Sequence, residues 1–434
     1  MRRGVLIVAA VVALFAPGTA FAHATLQVTT PGFRERLTSS PRLVVLRFDQ
    51  YVQAVPGSVR LYSSHGSVGP VKARSEGRYL RAFLPRLQRG AYTVRWHALS
   101  GDGHVVSGVF TFGVRMNAPP VTDAYGASGP TRTEDLVRWA YFLALALLVG
   151  GLGFRLLVLR GPLPPRAEKR FFVSTGIGAV ATINIGITAF LLRAEDALQL
   201  PFGSLLYGDL SPIAQSRFGK AFIAMTLGFA LVTAFLFLAW LTDRTVLLWP
   251  AFLLGLGFVA GLSLSGHSAV DRGASWKSQL ADWAHLSAAC LWIGGLIQLA
   301  VVVWPLVPEA RRSAFLGFSR LATVCVGVLL AAGVYLSILR LPTLSDLWTT
   351  GYGHVLLVKI GLVLLALSWG GVHKLVAVPA VARGDATVFG RLQRSLIGES
   401  LAGMAVLLAA AVLVNASPPR PPTPAPPAAT SVPR

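Results

Sequence analysis

The stretch "RMNAPPVTDAYGASGPTRTE", residues 115–134, divides the chain into two parts with different hydropathy patterns. It is rich in Pro, Gly and Ser and has the period of neither a helix nor a strand, so it indicates a linker. Before it, short runs alternate apolar and polar residues, and after it long apolar segments recur. We therefore predict a β domain over residues 23–114 and a helical membrane domain over residues 135–415.

The β domain is predicted from runs such as "LVVLRFDQYV", "RYLRAFLP" and "AYTVRWHAL", which Gly, Pro and Ser separate. Alternation of apolar and polar residues over a few positions is typical of half-buried strands. Several such strands at close spacing predict an all-β sandwich or barrel. Both cysteines, Cys290 and Cys325, lie beyond this part in apolar runs. The β domain therefore has no disulfide framework and depends on its own core.

The membrane domain is predicted from composition and from segment length. Hydrophobic residues make up 54% of the chain and charged residues 13%, which is typical of a chain that faces lipid over much of its length. Each segment has roughly the 20 apolar residues that a bilayer requires. Eight helices are predicted, at residues 135–159, 170–192, 218–241, 245–265, 280–304, 315–339, 354–378 and 395–415. A Pro-rich tail over 416–434 is expected to be disordered.

The first 22 residues have the pattern of a secretory signal peptide. Two arginines precede a short apolar run, and Ala20 and Ala22 supply the small residues before a cleavage site. Cleavage then falls before His23 and puts the β domain outside the cytoplasm, and eight crossings return the C-terminus to the same side of the cell membrane.

The distribution of positive charge gives an independent test of this topology, since cytoplasmic loops carry an excess of Lys and Arg. The loops predicted to be cytoplasmic are rich in these residues: Arg160, Arg166, Lys169, Arg170, Arg244, Arg311, Arg312, Arg383, Arg391 and Arg394. The outer loops are poorer: Arg193, Arg217, Arg272, Lys277 and Arg340. The charge distribution therefore agrees with the topology that the signal peptide predicts.

The net charge of +21 is spread along the chain, so it indicates topology and a basic surface and not a nucleic-acid partner. The chain has no Gly-x-x-x-x-Gly-Lys-Ser/Thr run, so an ATP-driven pump is not expected. The bilayer is the predicted partner of the helices.

A metal site is suggested by His23 together with "SGDGHVVSGVFTFGV", residues 100–114. Cleavage leaves a free α-amine on a residue that also carries an imidazole, and the two nitrogens can chelate one ion. Asp102 and His104 lie two apart, which in an extended segment puts them on one side. Three nitrogens and one oxygen suit a tetragonal Cu(II) ion. Asp-Gly-His is also a common turn sequence, so a purely structural role is the alternative.

These motifs resemble known copper proteins. "HATL" at the processed N-terminus and "SGDGHVVSGVFTFGV" resemble the CopC family of periplasmic copper proteins. "GLSLSGHSA" (261–269), "DWAHLSAACLWIGGL" (282–296), "FSRLATVCV" (318–326) and "YGHVLLVKIGLVLLAL" (352–367) resemble CopD, its membrane partner. The whole chain resembles a CopC–CopD fusion.

The resemblance implies a Greek-key, immunoglobulin-like outer domain that binds Cu(II) through the amine and imidazole of His23, Asp102 and His104. It also implies copper uptake into the cytoplasm. Two features depart from the family pattern. Met116 is the only methionine in or beside the β domain, so a methionine-rich Cu(I) site is missing. His373-Lys374 stands where Asn-Arg is expected.

Ionisable residues at membrane depth are costly and commonly functional. By topology, His267, His285 and His354 belong at the outer end of the bundle, and Asp282 lies at i−3 from His285 on the same helix face. These residues could receive copper, or the histidines could cap helices and bind headgroups. Lys359 is either a charge in the pathway or a snorkelling side chain. Cys290 and Cys325 could be soft ligands for Cu(I) or small apolar residues.

Three functions are compatible with these features. The first is a copper transport protein without enzymatic activity, which receives Cu(II) from an extracytoplasmic donor and moves copper inward. The second is an oxygen-activating copper enzyme, since a terminal histidine also chelates copper in monooxygenases. The third is a copper sensor or binding module without transport.

Overall fold

The structure is a computed structural model. It describes residues 24, 26–63, 66–101, 103, 105–118, 132–159, 161–198, 210–214, 217–265, 275–416 and 419. His23, Asp102, His104 and His267 lie outside the described residues, as do the predicted signal peptide, most of the predicted linker and nearly all of the Pro-rich tail.

The described part of the first domain contains ten strands. They are β1 (Leu26–Thr30), β2 (Glu35–Leu37), β3 (Leu43–Phe48), β4 (Val52–Gln53), β5 (Val59–Ser63), β6 (Gly66–Pro70), β7 (Lys72–Glu76), β8 (Tyr79–Phe83), β9 (Gly90–Ser100) and β10 (Val105–Val114).

Two sheets form a sandwich and not a closed barrel. One sheet has the order β1-β3-β8-β7, and the other has the order β2-β10-β9-β5-β6 with β4 also paired to β9. The pairs are antiparallel except for β2 with β10. Of the two β architectures that the sequence left open, the structure has the sandwich.

The core between the sheets follows from alternation along the strands. In β9, Tyr92, Val94 and Trp96 are buried, and the residues between them are partly exposed. The Trp96 ring meets Phe48 edge to face, with 5.3 Å between ring centroids. It also lies over Gly108 of β10, where an added Cβ would be 2.6 Å from the indole. The absence of a side chain at Gly108 therefore makes room for the largest ring of the core.

The second part contains, among the described residues, eight helices that are long and apolar enough to cross a membrane. They are α1 (Arg132–Leu157), α2 (Pro165–Leu192), α3 (Gly219–Thr242), α4 (Thr245–Leu262), α5 (Trp276–Leu306), α6 (Pro308–Arg340), α7 (Gly351–Arg383) and α8 (Gly390–Asn415). The predicted number of helices is confirmed. Several helices are longer than predicted, because their polar ends continue the helix outside the apolar segment.

Three of these helices contain a wide π turn, at residues 146–150 in α1, 299–303 in α5 and 373–377 in α7. Such turns frequently mark functional sites because they insert a residue into the helical register. Helical structure continues from α2 to Leu198, and short helices at Ser211–Ala214 and Asp346–Thr349 precede α3 and α7.

The centre of the bundle is the close contact of α1 with α5. Gly150 and Gly294 face each other there, and a Cβ on either residue would overlap backbone atoms of the other helix. Small residues that let backbones approach are the usual means by which helices associate in membranes, where van der Waals packing replaces the hydrophobic effect.

We expect Gly294→Ala to destabilise the bundle by at least about 1–3 kcal/mol, the usual cost of overpacking a core. Unfolding of the purified protein in detergent measures this change. Gly361→Ala in α7 is the matched control, because nothing lies within 4 Å of its added Cβ. Alanine is a better helix former than glycine by roughly 0.8–1.0 kcal/mol, so the control should be neutral or stabilising. Equal effects of the two substitutions would contradict the close contact.

The β domain packs against one end of the helices. Val55 and Leu99 form a buried apolar cluster with Phe190 of α2, with Ala194 in the helical extension of α2, and with Ile213, just before α3. We refer to this end of the bundle as the β-domain end and to the opposite end as the far end. Because successive helices run in opposite directions, the β-domain end contains the starts of α1, α3, α5 and α7.

Candidate functional site

Gly101 and Gly103 lie in a short turn between β9 and β10, and their neighbours Asp102 and His104 lie outside the described residues. Leu99 pairs with Val105 at its base, and Gly103 N–H donates to Ser100 O at 2.9 Å. Gly103 has φ of 85°, which lies in the left-handed region that favours glycine. The described residues on either side therefore reverse the direction of the chain here. That Asp102 and His104 lie on one side stays a prediction.

The base of this turn is the part of the β domain that contacts the helices. Leu99 is buried in the apolar cluster with Phe190, Ala194 and Ile213, and Val105 packs against the same cluster. The turn is therefore held at the junction of the two domains. The chain next to His23 is also fixed, since Ala24 is 4% exposed and belongs to the sandwich core.

A large cavity opens inside the β-domain end of the bundle. Its volume is about 790 Å³, and its lining is mostly apolar. It reaches the ends of α2, α6 and α8 and the starts of α5 and α7, so it lies between helices and not within one pair. Its acidic, basic and histidine lining residues are Glu134, Arg138, Asp282, His285, Arg340 and Lys359.

Three of the predicted pathway residues meet in this cavity. Asp282, His285 and Lys359 all line it, and Lys359 interacts electrostatically with both His285 and Asp282. Arg340 adds a second cation beside Lys359. Glu134, Arg138 and Arg340 were not predicted in the pathway. Each is a charged residue near the end of a predicted span, and that position was the feature of the sequence that could have indicated them.

The His285 imidazole is enclosed. Its Nδ1 is buried and has no hydrogen-bond partner within the part of the chain that the structure describes. The ring lies against α6, where a Cβ added at Gly333 would be 3.2 Å from its Cε1. An imidazole nitrogen without such a partner can ligate a metal ion, and the Asp282 carboxylate lines the same cavity. The pair could bind a copper ion that enters the cavity.

The structure does not bring His354 to this cavity. Its Nε2 donates to Trp348 O at 2.9 Å, and the side chain is exposed. This bond ties the start of α7 to the short helix before it, which is the capping role that the sequence argument kept as the alternative. His267 lies outside the described residues, and among those that are described no three His, Cys, Asp or Glu side chains form a metal-binding group.

Neither cysteine lines the cavity. Cys290 and Cys325 are free thiols that are buried in the packing of the helices. Cys290 lies in α5 at the close contact with Gly150. Their positions favour the interpretation as small apolar residues.

Family profiles account for most of the chain. The CopC domain matches residues 26–115, the N-terminal domain of copper resistance protein D-like proteins matches residues 134–278, and copper resistance protein D matches residues 312–413. The first match ends at the last strand of the sandwich. The other two cover most of the helical domain.

Individual relatives agree with these matches. Copper transport protein CutJ of Bacillus subtilis (strain 168) is 27% identical over 440 aligned positions, covering 95% of this chain and 77% of that protein. Copper resistance protein D of Pseudomonas syringae pv. tomato is 30% identical over 308 positions, covering 64% of this chain and 92% of that protein. The crystal structure of CopC from Methylosinus trichosporium OB3b is 31% identical, covers 24% of this chain and 100% of that chain, and has a TM-score of 0.20.

The order of the three matched regions agrees with the fold, in which the sandwich precedes the eight candidate spans found among the described residues. The chain is a multi-pass membrane protein of the copper resistance family, in which a CopC domain is fused to a CopD membrane domain.

Proposed function

We propose that the protein takes up copper: the β domain binds Cu(II) outside the cytoplasm and passes copper to the membrane domain, which moves it inward across the cell membrane. The β domain and the C-terminus then both lie outside the cytoplasm. Membership of a family of copper resistance and transport proteins supports the cargo. The hand-off is supported by the contact between the two domains.

That contact is the observation that carries the proposal. The base of the β9–β10 turn packs on Phe190, and the Phe190 ring stacks on Phe222 of α3 with 4.8 Å between centroids. Phe222 lines the cavity that contains Asp282 and His285. A single aromatic layer therefore separates the base of the turn from the wall of the cavity.

The ligands proposed for the outer site are the amine and imidazole of His23, the carboxylate of Asp102 and the imidazole of His104. Nitrogen and carboxylate ligands without a thioether cluster favour Cu(II) over Cu(I). Ala24 supports this assignment because its burial anchors the chain one residue from His23.

The proposed second copper site is in the cavity, where Asp282 and His285 bind the ion. Asp282 supplies a negative charge, and His285 supplies a nitrogen without a competing hydrogen bond at Nδ1. The positive charges of Lys359 and Arg340 would weaken the binding of a copper ion in the cavity. A site that binds weakly suits transport, because the ion must also leave.

Copper uptake by proteoliposomes of known orientation tests the proposal. With the β domain outside, we expect protein-dependent accumulation of copper in the lumen, measured by mass spectrometry. Liposomes without protein control for leakage. Copper binding without accumulation would instead indicate a sensor or binding module, and copper-dependent oxygen consumption by the reduced protein would indicate an enzyme.

The domain contact gives a separate prediction. Ala194 is fully buried in the cluster that holds the turn. Ala194→Glu would bury an unpaired charge there, which commonly costs several kcal/mol, so the contact should open. We expect uptake at limiting copper to fall severalfold while Cu(II) binding by the β domain is unchanged. Ala194→Ser, which keeps the size small, is the matched control. Unchanged uptake in the Glu variant would contradict a hand-off through this contact.

A further inference from the structure

A buried polar cluster occupies the far half of the bundle, where α7 packs on α8. His373 opens the π turn of α7, and its Nδ1 lies 2.7 Å from Glu399 Oε2. Its Nε2 lies 2.7 Å from Ser395 Oγ, which also accepts from Trp369 Nε1 at 2.9 Å. His373 and Glu399 are 8% and 4% exposed. An imidazole and a carboxylate so buried in a membrane domain mark a functional site by default.

The hydrogen bonds of this cluster can accommodate two protonation states of His373. In the neutral state, Nδ1–H donates to the Glu399 carboxylate, and Nε2 accepts from the Ser395 hydroxyl. When a proton adds to Nε2, that nitrogen becomes a donor, and the hydroxyl rotates so that its oxygen accepts. The Trp369 donor is satisfied in both states. The proton adds to one nitrogen, and the hydrogen bond between His373 and Ser395 reverses its direction while the other two contacts are kept.

The net charge of the pair changes with this proton. With neutral His373, the pair carries the single negative charge of Glu399, and with protonated His373 it carries none. Because the site is buried, water does little to screen this difference. The first state attracts a cation in the bundle and the second does not.

The cluster lies between the residues that line the cavity and the far end of the bundle. His373 follows the lining residue Leu367 by six positions, and Glu399 precedes the lining residue Val406 by seven. At 1.5 Å per residue, these separations correspond to about 9 Å along α7 and about 10.5 Å along α8. The pair thus stands between the cavity and the far end.

The other charged groups on the elements packed around His373 do not bond to it. Phe315 of α6 meets the imidazole edge to face. Arg311 donates to Trp304 O, Arg312 to Ala382 O and Lys374 to Thr323 Oγ1. Besides Arg312 and Lys374, the exposed charged side chains on α6, α7 and α8 are Glu309, Arg320, Arg383, Arg391 and Arg394. Glu399 is therefore the charged partner that sets the response of His373.

We propose that the His373–Glu399 pair is a proton-binding site that controls the passage of copper from the cavity to the far end. The inference rests on the proposed transport of copper. The deprotonated pair attracts the ion, and protonation from the water at the far end removes that attraction. Uptake should therefore decrease as the pH at the far end falls.

Two substitutions, each of which removes one partner of the pair, test this inference in oriented proteoliposomes. Only the luminal pH is varied. His373→Asn, which introduces the residue expected from the family pattern, leaves the Glu399 charge in place. Uptake should then lose most of its pH dependence and stay near the high-pH rate of the parent. Glu399→Gln removes the charge, and uptake should be several-fold lower at every pH. His354→Asn is the control, because His354 contacts neither the cavity nor the cluster and should leave the pH dependence unchanged.

Nuclear magnetic resonance of the full chain with ¹⁵N-labelled imidazoles tests proton binding without transport. The signal that His373→Asn removes should titrate in the parent protein and should shift in Glu399→Gln. An absence of titration over the whole pH range in which the protein stays folded overturns the inference, whatever the uptake. An unchanged pH dependence in both variants overturns it as well. Failure of the parent to accumulate copper at any pH, with His373 titrating normally, contradicts the transport proposal instead.

Discussion

One alanine inserted between Ala22 and His23 should lower the affinity of the β domain for Cu(II) several hundred-fold. The imidazole of His23 remains, but its own backbone nitrogen becomes a peptide amide and the terminal amine moves to the inserted residue. Ligands must lose their protons to bind a metal, and a peptide nitrogen does so far less readily than an amine. The loss corresponds to roughly 3–4 kcal/mol, at about 1.4 kcal/mol for each factor of ten.

Competitive Cu(II) titration of the full chain in detergent measures this effect, after sequencing confirms cleavage before the inserted alanine. Electron paramagnetic resonance should show nitrogen coupling from fewer ligands. An alanine inserted between Ala127 and Ser128, in the predicted linker, is the matched control and should leave affinity unchanged. The sandwich should survive both insertions, because Ala24 and the strands after it keep their positions in the core. Parental affinity in the first variant would falsify the role of the His23 amine.

His285→Ala should lower copper uptake by at least about tenfold, because loss of a group that only supports a metal ligand already costs about 10–100-fold. The substitution removes the buried nitrogen that has no hydrogen-bond partner among the described residues, while Asp282 and the cavity remain. Cu(II) binding by the β domain should not change, because the two sites lie in different domains. Uptake into oriented proteoliposomes, beside titration of the same preparation, separates the two effects.

His354→Ala is the matched control for this prediction, since it removes the same type of side chain from the same end of the bundle. Its imidazole is exposed and bonds to Trp348 O instead of lining the cavity. We expect uptake within about twofold of the parent and a small loss of stability from the lost hydrogen bond, on the order of 1 kcal/mol. Similar losses of uptake in both variants would remove the reason for assigning His285 to the pathway.

The candidate residues in the membrane domain could be predicted only in part from the sequence. Asp282 and His285 were expected on one face, because positions i and i+3 of a helix are neighbours, and both line the cavity. Arg340 and Glu134 were not expected there. Their relation to His285 depends on how separate helices pack, and periodicity within one helix carries no information about that.

The His373–Glu399 pair shows the same limit. The sequence marked His373 only as a departure from the family pattern, and it did not mark Glu399. Glu399 is a lone acidic residue inside the apolar segment of α8, and that feature of the sequence could have indicated a functional residue. The partner lies on another helix, so only the packing of α7 on α8 could bring the two side chains together.

The sequence by itself determined that a β domain precedes the eight spanning helices found among the described residues, because strand alternation, segment length and hydropathy are properties of neighbouring residues. It also determined the family, through motifs that lie within single segments. The tertiary structure decided that the strands form a sandwich, that the base of the β9–β10 turn packs on α2, and that Asp282, His285 and Lys359 share one cavity while His354 lies apart. These relations join residues far apart in the chain, and they depend on the packing of whole elements in three dimensions.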